Sequence, residues 1–351
     1  MLGFGRKGRS QTQYQPPYGQ SLVNKKIQPA SAASRLLVPA IAMVAAAFTP
    51  TALAQTFPSK PIRLVVPAAP GGGTDILARL LSPELTKQFG QQIIIENRAG
   101  GATMIGTEFV ARSAPDGHTM VIATTPHAIN PTLFPKIPFD PVKDFTMISQ
   151  LGLTTTVLVV HPSLPVNNVR EFIALAKAKP GQLTAGTAAG NSAYLAVEML
   201  KTMAKIDAVN IPYKGAGQAL TDLIAGHVQF QVNTLLAAKP FIDSGRLRAI
   251  GVCSAKRSST LPDVQAIGET LKGFETSGWY ALLGPAGIPR DVTLRIHDGF
   301  SKALRKPEIT QNLAARGVEV VAGTPDELAR VMPAEIKKWG AVVKSSGANP
   351  G

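Results

Sequence analysis

A chain of 351 residues is long enough for two domains, each with a core of its own. Its 45% hydrophobic and 17% charged residues fit a globular protein with a lightly charged surface, and its single cysteine, Cys253, excludes an internal disulfide. The net charge of +14 owes much to the stretch before Gln55, which holds Arg6, Lys7, Arg9, Lys25, Lys26 and Arg35 and no acid.

That N-terminal stretch is the first predicted element. After the basic region comes an apolar run from Leu36 to Phe48, then Ala52-Leu53-Ala54 ahead of Gln55. The combination predicts residues 1–54 as a secretory signal peptide with a long basic region, cleaved near Ala54–Gln55. The run is shorter than the ~20 residues a membrane span needs. Without these six of the 36 Lys and Arg, against 22 Asp and Glu, the net charge is about +8. Such a surface suits an anionic ligand, and equally describes scattered solvated lysines. No basic helix interleaved with aromatics occurs, so nucleic acid is not expected as a partner.

From Phe57 onward, strand and helix patterns alternate. IRLVVP predicts a strand, and DILARLLSPELTKQF a helix kinked or restarted at Pro83. QQIIIE is a second strand, IGTEFVARS a short helix, and HTMVIAT a third strand. The stretch that follows, TPHAINPTLFPKIPFDPVKDF, holds five prolines and predicts a long surface excursion rather than a helix. TTVLVVH, LTAG, AVNIPY, VQFQVN and LRAIGVCSA read as strands with helical segments between them; the chain from Pro289 onward reads as mostly helical. The alternation predicts an α/β protein with mostly parallel sheet and helices on both faces. With no linker composition anywhere, two domains must share the chain by crossing between them, and TTVLVVH and LRAIGVCSA are the candidate crossings.

Three stretches invite a ligand. In VVPAAPGGGTD (residues 65–75) a buried strand runs through three glycines into a helix, with Thr74 or Asp75 placed to cap it. Free N–H groups at a helix start, together with the helix dipole, favour an anion. LTAGTAAGNSAYL repeats the arrangement, with Asn191 or Ser192 as the cap, and IPYKG sets Lys214 at a strand end between an aromatic residue and glycine. None of them is a known catalytic loop. No Gly-Lys-Ser/Thr follows the glycine run, no G-x-G-x-x-G occurs, and GNSAY fails the nucleophile elbow at Tyr194. Five histidines lack metal spacing, Cys253 sits in a β-like apolar run, and no carboxylate pair stands out. Helix starts without a reactive group point to binding rather than catalysis, and to no cofactor.

The chain resembles the periplasmic solute-binding receptors of the tripartite tricarboxylate transporter family, the Bug-type receptors. The resemblance runs from Phe57 to the C-terminus through FPSKPIRLVVPAAPGGGTDILAR, IIIENRAGGATMIG, ATTPHAINPTLFPKIPFDPVKDF, IPYKG, DLIAGHV and GWYALLGPAGIP, in that order. It implies a type II periplasmic-binding fold of two α/β lobes with a ligand cleft between them. Residues 55–155 plus 250–351 would form lobe 1 and residues 156–249 lobe 2. It implies a free periplasmic receptor, monomeric, that captures a small di-, tricarboxylic or aromatic acid for a two-component integral membrane transporter. The alternative partner is a membrane sensor kinase, and the rival class is an α/β enzyme acting on a carboxylic acid or ester. Carried over by position, the ligand-facing residues would be Ala69, Gly72, Gly73, Thr74, Asp75, Thr124, Thr125 and Pro126 in the first lobe. In the second they would be Thr187, Ala188, Gly190, Asn191, Ser192 and Tyr213. Three departures bear on ligand identity: Ala68 replaces a common bulky aromatic, NRAGGAT replaces a usual NRPGAGG, and Gln229 and Asn233 replace acids often found there. Asp75 remains as a counter-charge for a ligand ammonium.

Overall fold

The computed structural model describes residues 57–188, 191–346 and 348, so the expected signal peptide lies outside the described residues. The first sheet has six strands in the order β11-β4-β10-β3-β1-β2. Its members are β1 (Ile62–Val66), β2 (Ile93–Asn97), β3 (Thr119–Thr124), β4 (Phe145–Thr154), β10 (Gly278–Pro285) and β11 (Val318–Val320). The second has five strands in the order β7-β6-β8-β5-β9. These are β5 (Thr156–Val160), β6 (Thr184–Thr187), β7 (Val209–Pro212), β8 (Phe230–Thr234) and β9 (Arg248–Val252). Each sheet is the centre of one α/β lobe.

Among the described strands, only β1–β2, β1–β3, β6–β7 and β6–β8 pair parallel. The other five pairings are antiparallel, which corrects the expectation of mostly parallel sheet. For the four pairings that involve β5 or β10 the reason is the crossing itself, whereas β4 and β11 pair within the first lobe. A strand arriving from the other lobe enters at the opposite end from one fed by a local crossover helix, so it runs against its neighbours. The chain leaves the first sheet at Thr154 and enters the second at Thr156. It returns after β9, because β9 pairs with β5, and Cys253, Ile267 and Phe274 still pack in the second lobe's core. The boundary expected at 249–250 therefore falls inside a second-sheet strand, and the return crossing follows Phe274.

The helices are α1 (Gly73–Phe89), α2 (Met104–Ala111), α3 (Pro126–Leu133), α4 (Val169–Ala178), α5 (Ser192–Ala204), α6 (Ala216–Ile224) and α7 (Leu235–Asp243). After them come α8 (Arg290–Leu304), α9 (Pro307–Ala314) and α10 (Pro325–Ser346). Helix α1 runs unbroken through Pro83, and ends where Gly90, in the left-handed region at φ 65°, turns its N–H back to Thr86 O. Helix α3 overturns the reading of TPHAINPTLF as surface excursion. Pro126 occupies the first turn, where the missing N–H costs nothing, and His127, Ala128, Ile129 and Leu133 are buried. His127 lies fully inside, its imidazole held neutral by burial with a pKa of about 4. The strands β4 and β10, absent from the sequence reading, form the middle of the first sheet. Helix α10 packs Leu328, Met332, Trp339 and Val343 into a core that also takes Tyr194 and Leu195 of α5, so it joins the two lobes.

Candidate ligand-binding site

The lobes enclose a cavity of about 420 Å³. Five helices begin at its wall, besides α7, whose first N–H, on Leu235, is already bonded to Thr155 O. Gly72, Gly73 and Thr74 open α1; Gly100 to Thr103 lead into α2; Thr124, Thr125 and Pro126 open α3. From the second lobe, Asn191, Ser192 and Ala193 open α5, and Tyr213 to Ala216 lead into α6. The N–H groups of Gly73, Thr74 and Ala216 have no hydrogen-bond acceptor among the described residues, as expected of first-turn donors without a side-chain cap. Thr74 and Asp75 do not cap α1. Asn191 does cap α5, its Oδ1 accepting from Tyr194 N at 2.6 Å.

The wall carries hydroxyls from Thr74, Thr103, Thr124, Thr125, Thr154, Thr156, Ser192, Thr234 and Tyr280, and no acidic side chain among the described residues. Lys214 is the one charged residue among those lining it, exposed and without an ion pair among the described residues. An exposed lysine contributes about 0.2–1 kcal/mol to an ion pair. Each helix start adds about 0.3–1 kcal/mol toward an anion, and more when partly buried. Five starts therefore outweigh the single lysine, and the backbone sets the sign of the site.

Of the residues expected to face a ligand, Gly72, Gly73, Thr74, Thr124, Thr125, Pro126, Ala188, Asn191, Ser192 and Tyr213 line the cavity. Ala69, Asp75 and Thr187 lie off its wall, and Gly190 is outside the described residues. Ala69 is buried against Gly215, where an added Cβ would come within 2.7 Å of its methyl carbon. Thr187 gives its carbonyl to Tyr213 N at 2.8 Å. The Asp75 carboxylate is engaged throughout: it accepts from Gly71 N at 3.1 Å, from Arg79 Nε at 3.0 Å and from Asn97 Nδ2 at 3.0 Å. Burial acts to raise its pKa, but those bonds and the Arg79 charge outweigh burial and hold it below the usual aspartate value. It is a fastener for the glycine loop and is not free to balance a ligand ammonium. Tyr213 presents its ring, since its hydroxyl donates to Asp222 Oδ2 at 2.7 Å; burial and then that carboxylate push the phenol up to about 12.

Sequence reasoning did not reach Thr154, Thr156, Thr234, Trp279, Tyr280 or the Gly100–Thr103 turn as wall residues. In that turn Ala102 and Thr103 both adopt positive φ, at 50° and 76°, where side chains are seldom found. Nothing local signals this; Asn130 on α3 holds the turn by donating Nδ2 to Ala102 O at 2.8 Å. Trp279 is fixed from behind, because both its indole N–H and that of Trp339 donate to Glu335 Oε2, at 2.9 and 3.0 Å. Of the replaced acids, Asn233 lines the cavity but spends its amide on Gln231 and Thr234. Gln229 lies elsewhere and accepts from Thr184 N. No group of three His, Cys, Asp or Glu able to hold a metal occurs among the described residues. Cys253 is fully buried, its thiol pushed up by burial to about 11.

The model of the tripartite tricarboxylate transporter family receptor matches residues 77–348. The chain belongs to this family. Among its relatives is the protein BugT of Bordetella pertussis, 36% identical over 301 residues that cover 84% of this chain and 92% of BugT. Two solved structures resemble this receptor over its full two-lobe fold. One is an R. palustris protein with adipate, at 34% identity and TM-score 0.80, covering 83% of this chain and 98% of that one. The other is MatC from Rhodopseudomonas palustris with bound malate, at 31% and 0.78, covering 82% and 100%. The periplasmic binding protein BugD has the same fold, with TM-score 0.81 at 28% identity over 84% of this chain and 99% of its own.

Proposed function

We propose that this receptor captures a small organic carboxylate in the periplasm and delivers it, as a monomer and without chemical change, to a membrane transporter of the tripartite type. The observation that carries the reading is a cavity of five helix starts and many hydroxyls with no acid among the described residues of its wall. An acceptor-only, negatively charged group finds donors there, and a ligand ammonium finds no counter-charge. The adipate and malate held by two relatives support the same ligand chemistry.

A thermal-shift screen of mono-, di-, tricarboxylic and aromatic acids tests this. A ligand at 100 times its Kd stabilises the folded form by about 2.7 kcal/mol. For a protein of this size, with an unfolding entropy of about 0.6 kcal/mol/K, that is a rise in Tm of about 4–5 °C. At least one acid is expected to reach that range. Stabilisation by basic amino acids alone, or turnover of an acid or ester, would overturn the proposal.

Ala68 lines the same cavity and sets part of its width. Ala68→Phe is expected to weaken the best acid of that screen by about 1–3 kcal/mol, the usual scale of overpacking. Ring-bearing acids should be lost first. Titration calorimetry on the purified variant checks this, and unchanged affinity would remove Ala68 from the ligand's surroundings.

A further inference from the structure

Tyr280 on β10 lines the cavity while only 1% exposed. Its hydroxyl, Thr156 Oγ1 and Thr234 Oγ1 are all buried without a hydrogen-bond partner among the described residues. The Thr154 and Thr234 side chains stand close enough to the phenol to act on it, yet no bond of normal hydrogen-bond distance and angle forms between them. Burial pushes that phenol up to about 12, against the pull of the two threonines, so it keeps its proton. The place of these groups is also fixed relative to α1. A Cβ built on Gly73 would lie 2.5 Å from Thr234 Oγ1 and 2.6 Å from the Tyr280 hydroxyl. Two unpartnered hydroxyls, one from each lobe, thus flank the helix residue whose free N–H offers itself to an anion.

We propose that Tyr280, with Thr234, reads a hydroxyl carried on the carbon next to the docked carboxylate, so that the preferred ligand is a 2-hydroxy acid. This rests on the carboxylate reading above. The division of labour follows from donor and acceptor counts. A carboxylate only accepts, and the N–H groups of Gly73 and Thr74 supply its donors. Each hydroxyl of the wall has one donor and two acceptor sites, and an alcohol or a water is the partner that uses both. A ligand with only C–H at that position leaves these buried groups unsatisfied unless a water fills in. Such a water limits the discrimination, so the expected preference is about tenfold to a hundredfold, below what a dry site of this kind achieves.

The test is titration calorimetry with matched pairs: malate and succinate, 2-hydroxyglutarate and glutarate (both enantiomers of each hydroxy acid), and citrate and tricarballylate. In the wild type at least one hydroxy acid is expected to bind at least about tenfold more tightly than its deoxy partner. In Tyr280→Phe that ratio should fall to within about twofold of unity, through loss on the hydroxy acid alone. A merely structural tyrosine would weaken both members alike. Should Tyr280→Phe fail to fold, Thr234→Ala provides the same comparison of ratios. A wild-type ratio near unity in every pair that binds, a ratio that survives in the variant, or equal weakening of both members would each overturn the inference. If no acid binds the wild type at all, the carboxylate reading falls first and this one with it, a result distinct from acids that bind without regard to the hydroxyl.

Discussion

Gly217→Val is expected to fold normally and to lose ligand binding. Gly217 sits in the first turn of α6, in the second lobe, and faces the glycine loop of the first. A Cβ there would lie 2.5 Å from Pro70 O, 2.8 Å from Gly71 C and 2.9 Å from Gly72 N. All three are backbone atoms, so no side chain can swing aside, and the strain is relieved only by parting the lobes. Overpacking of this kind costs about 1–3 kcal/mol, and more where nothing can move. A change of about 1.4 kcal/mol is tenfold in affinity, so a loss of about tenfold to a hundredfold is expected. Helix propensity favours valine over glycine slightly, and the fold of the second lobe should not suffer. Calorimetry with the best acid, near-native circular dichroism, and a radius of gyration by small-angle scattering that stays at its ligand-free value on adding acid check this together. Gly323→Ala, away from the cavity wall, is the control, because its Cβ would meet nothing closer than 3.5 Å. Wild-type affinity in Gly217→Val would mean that the two backbones need not meet for binding.

Asp75→Ala is expected to destabilise the receptor by about 2–4 kcal/mol, since it removes the buried carboxylate on which the Gly71 N–H and the Asn97 amide close. That corresponds to a fall in Tm of roughly 3–6 °C. The Arg79 side chain, half in solvent, can turn to water and adds little. The pH dependence has a definite sign. The folded pKa of Asp75 lies below its ordinary value, so its stabilisation is complete above about pH 5 and is lost as the pH falls through the folded pKa. The gap in Tm between wild type and Asp75→Asn should therefore be constant near neutrality and shrink below about pH 4. A gap that stays constant down to about pH 3 would show that the carboxylate's charge contributes nothing there.

The α/β class, the two-lobe plan and the N-terminal edges of α1 and α5 were legible in the sequence, because each is written locally. Apolar strands such as IRLVV, the capping Asn191 and the run Gly71-Gly72-Gly73 carry their meaning within a short stretch of chain. What local pattern cannot carry is the destination of a chain that leaves its own lobe. Whether β9 pairs in the first or second sheet depends on partners far away in sequence, and so does the antiparallel entry of β5 and β10. Helix α3 was hidden for a related reason. The prolines crowded between Thr125 and Phe145 read as a breaker, yet the first of them occupies a first helical turn, and the buried faces of His127 and Ile129 decide the rest.

The glycine run shows the same division on a smaller scale. That a helix begins there beside an anion-favouring loop follows from the sequence, through the freedom of glycine and the orphan donors of a helix start. Which glycine is indispensable does not. Gly71 is needed for its left-handed φ of 80°, Gly73 because Thr234 and Tyr280 leave no room, and Gly72 for neither reason. Asp75, read as a cap or a counter-charge, is instead spent on Gly71, Arg79 and Asn97. Side-chain type and spacing determine what a residue can offer; only the tertiary structure decides which neighbour takes the offer, because the takers come from other strands and from the opposite lobe.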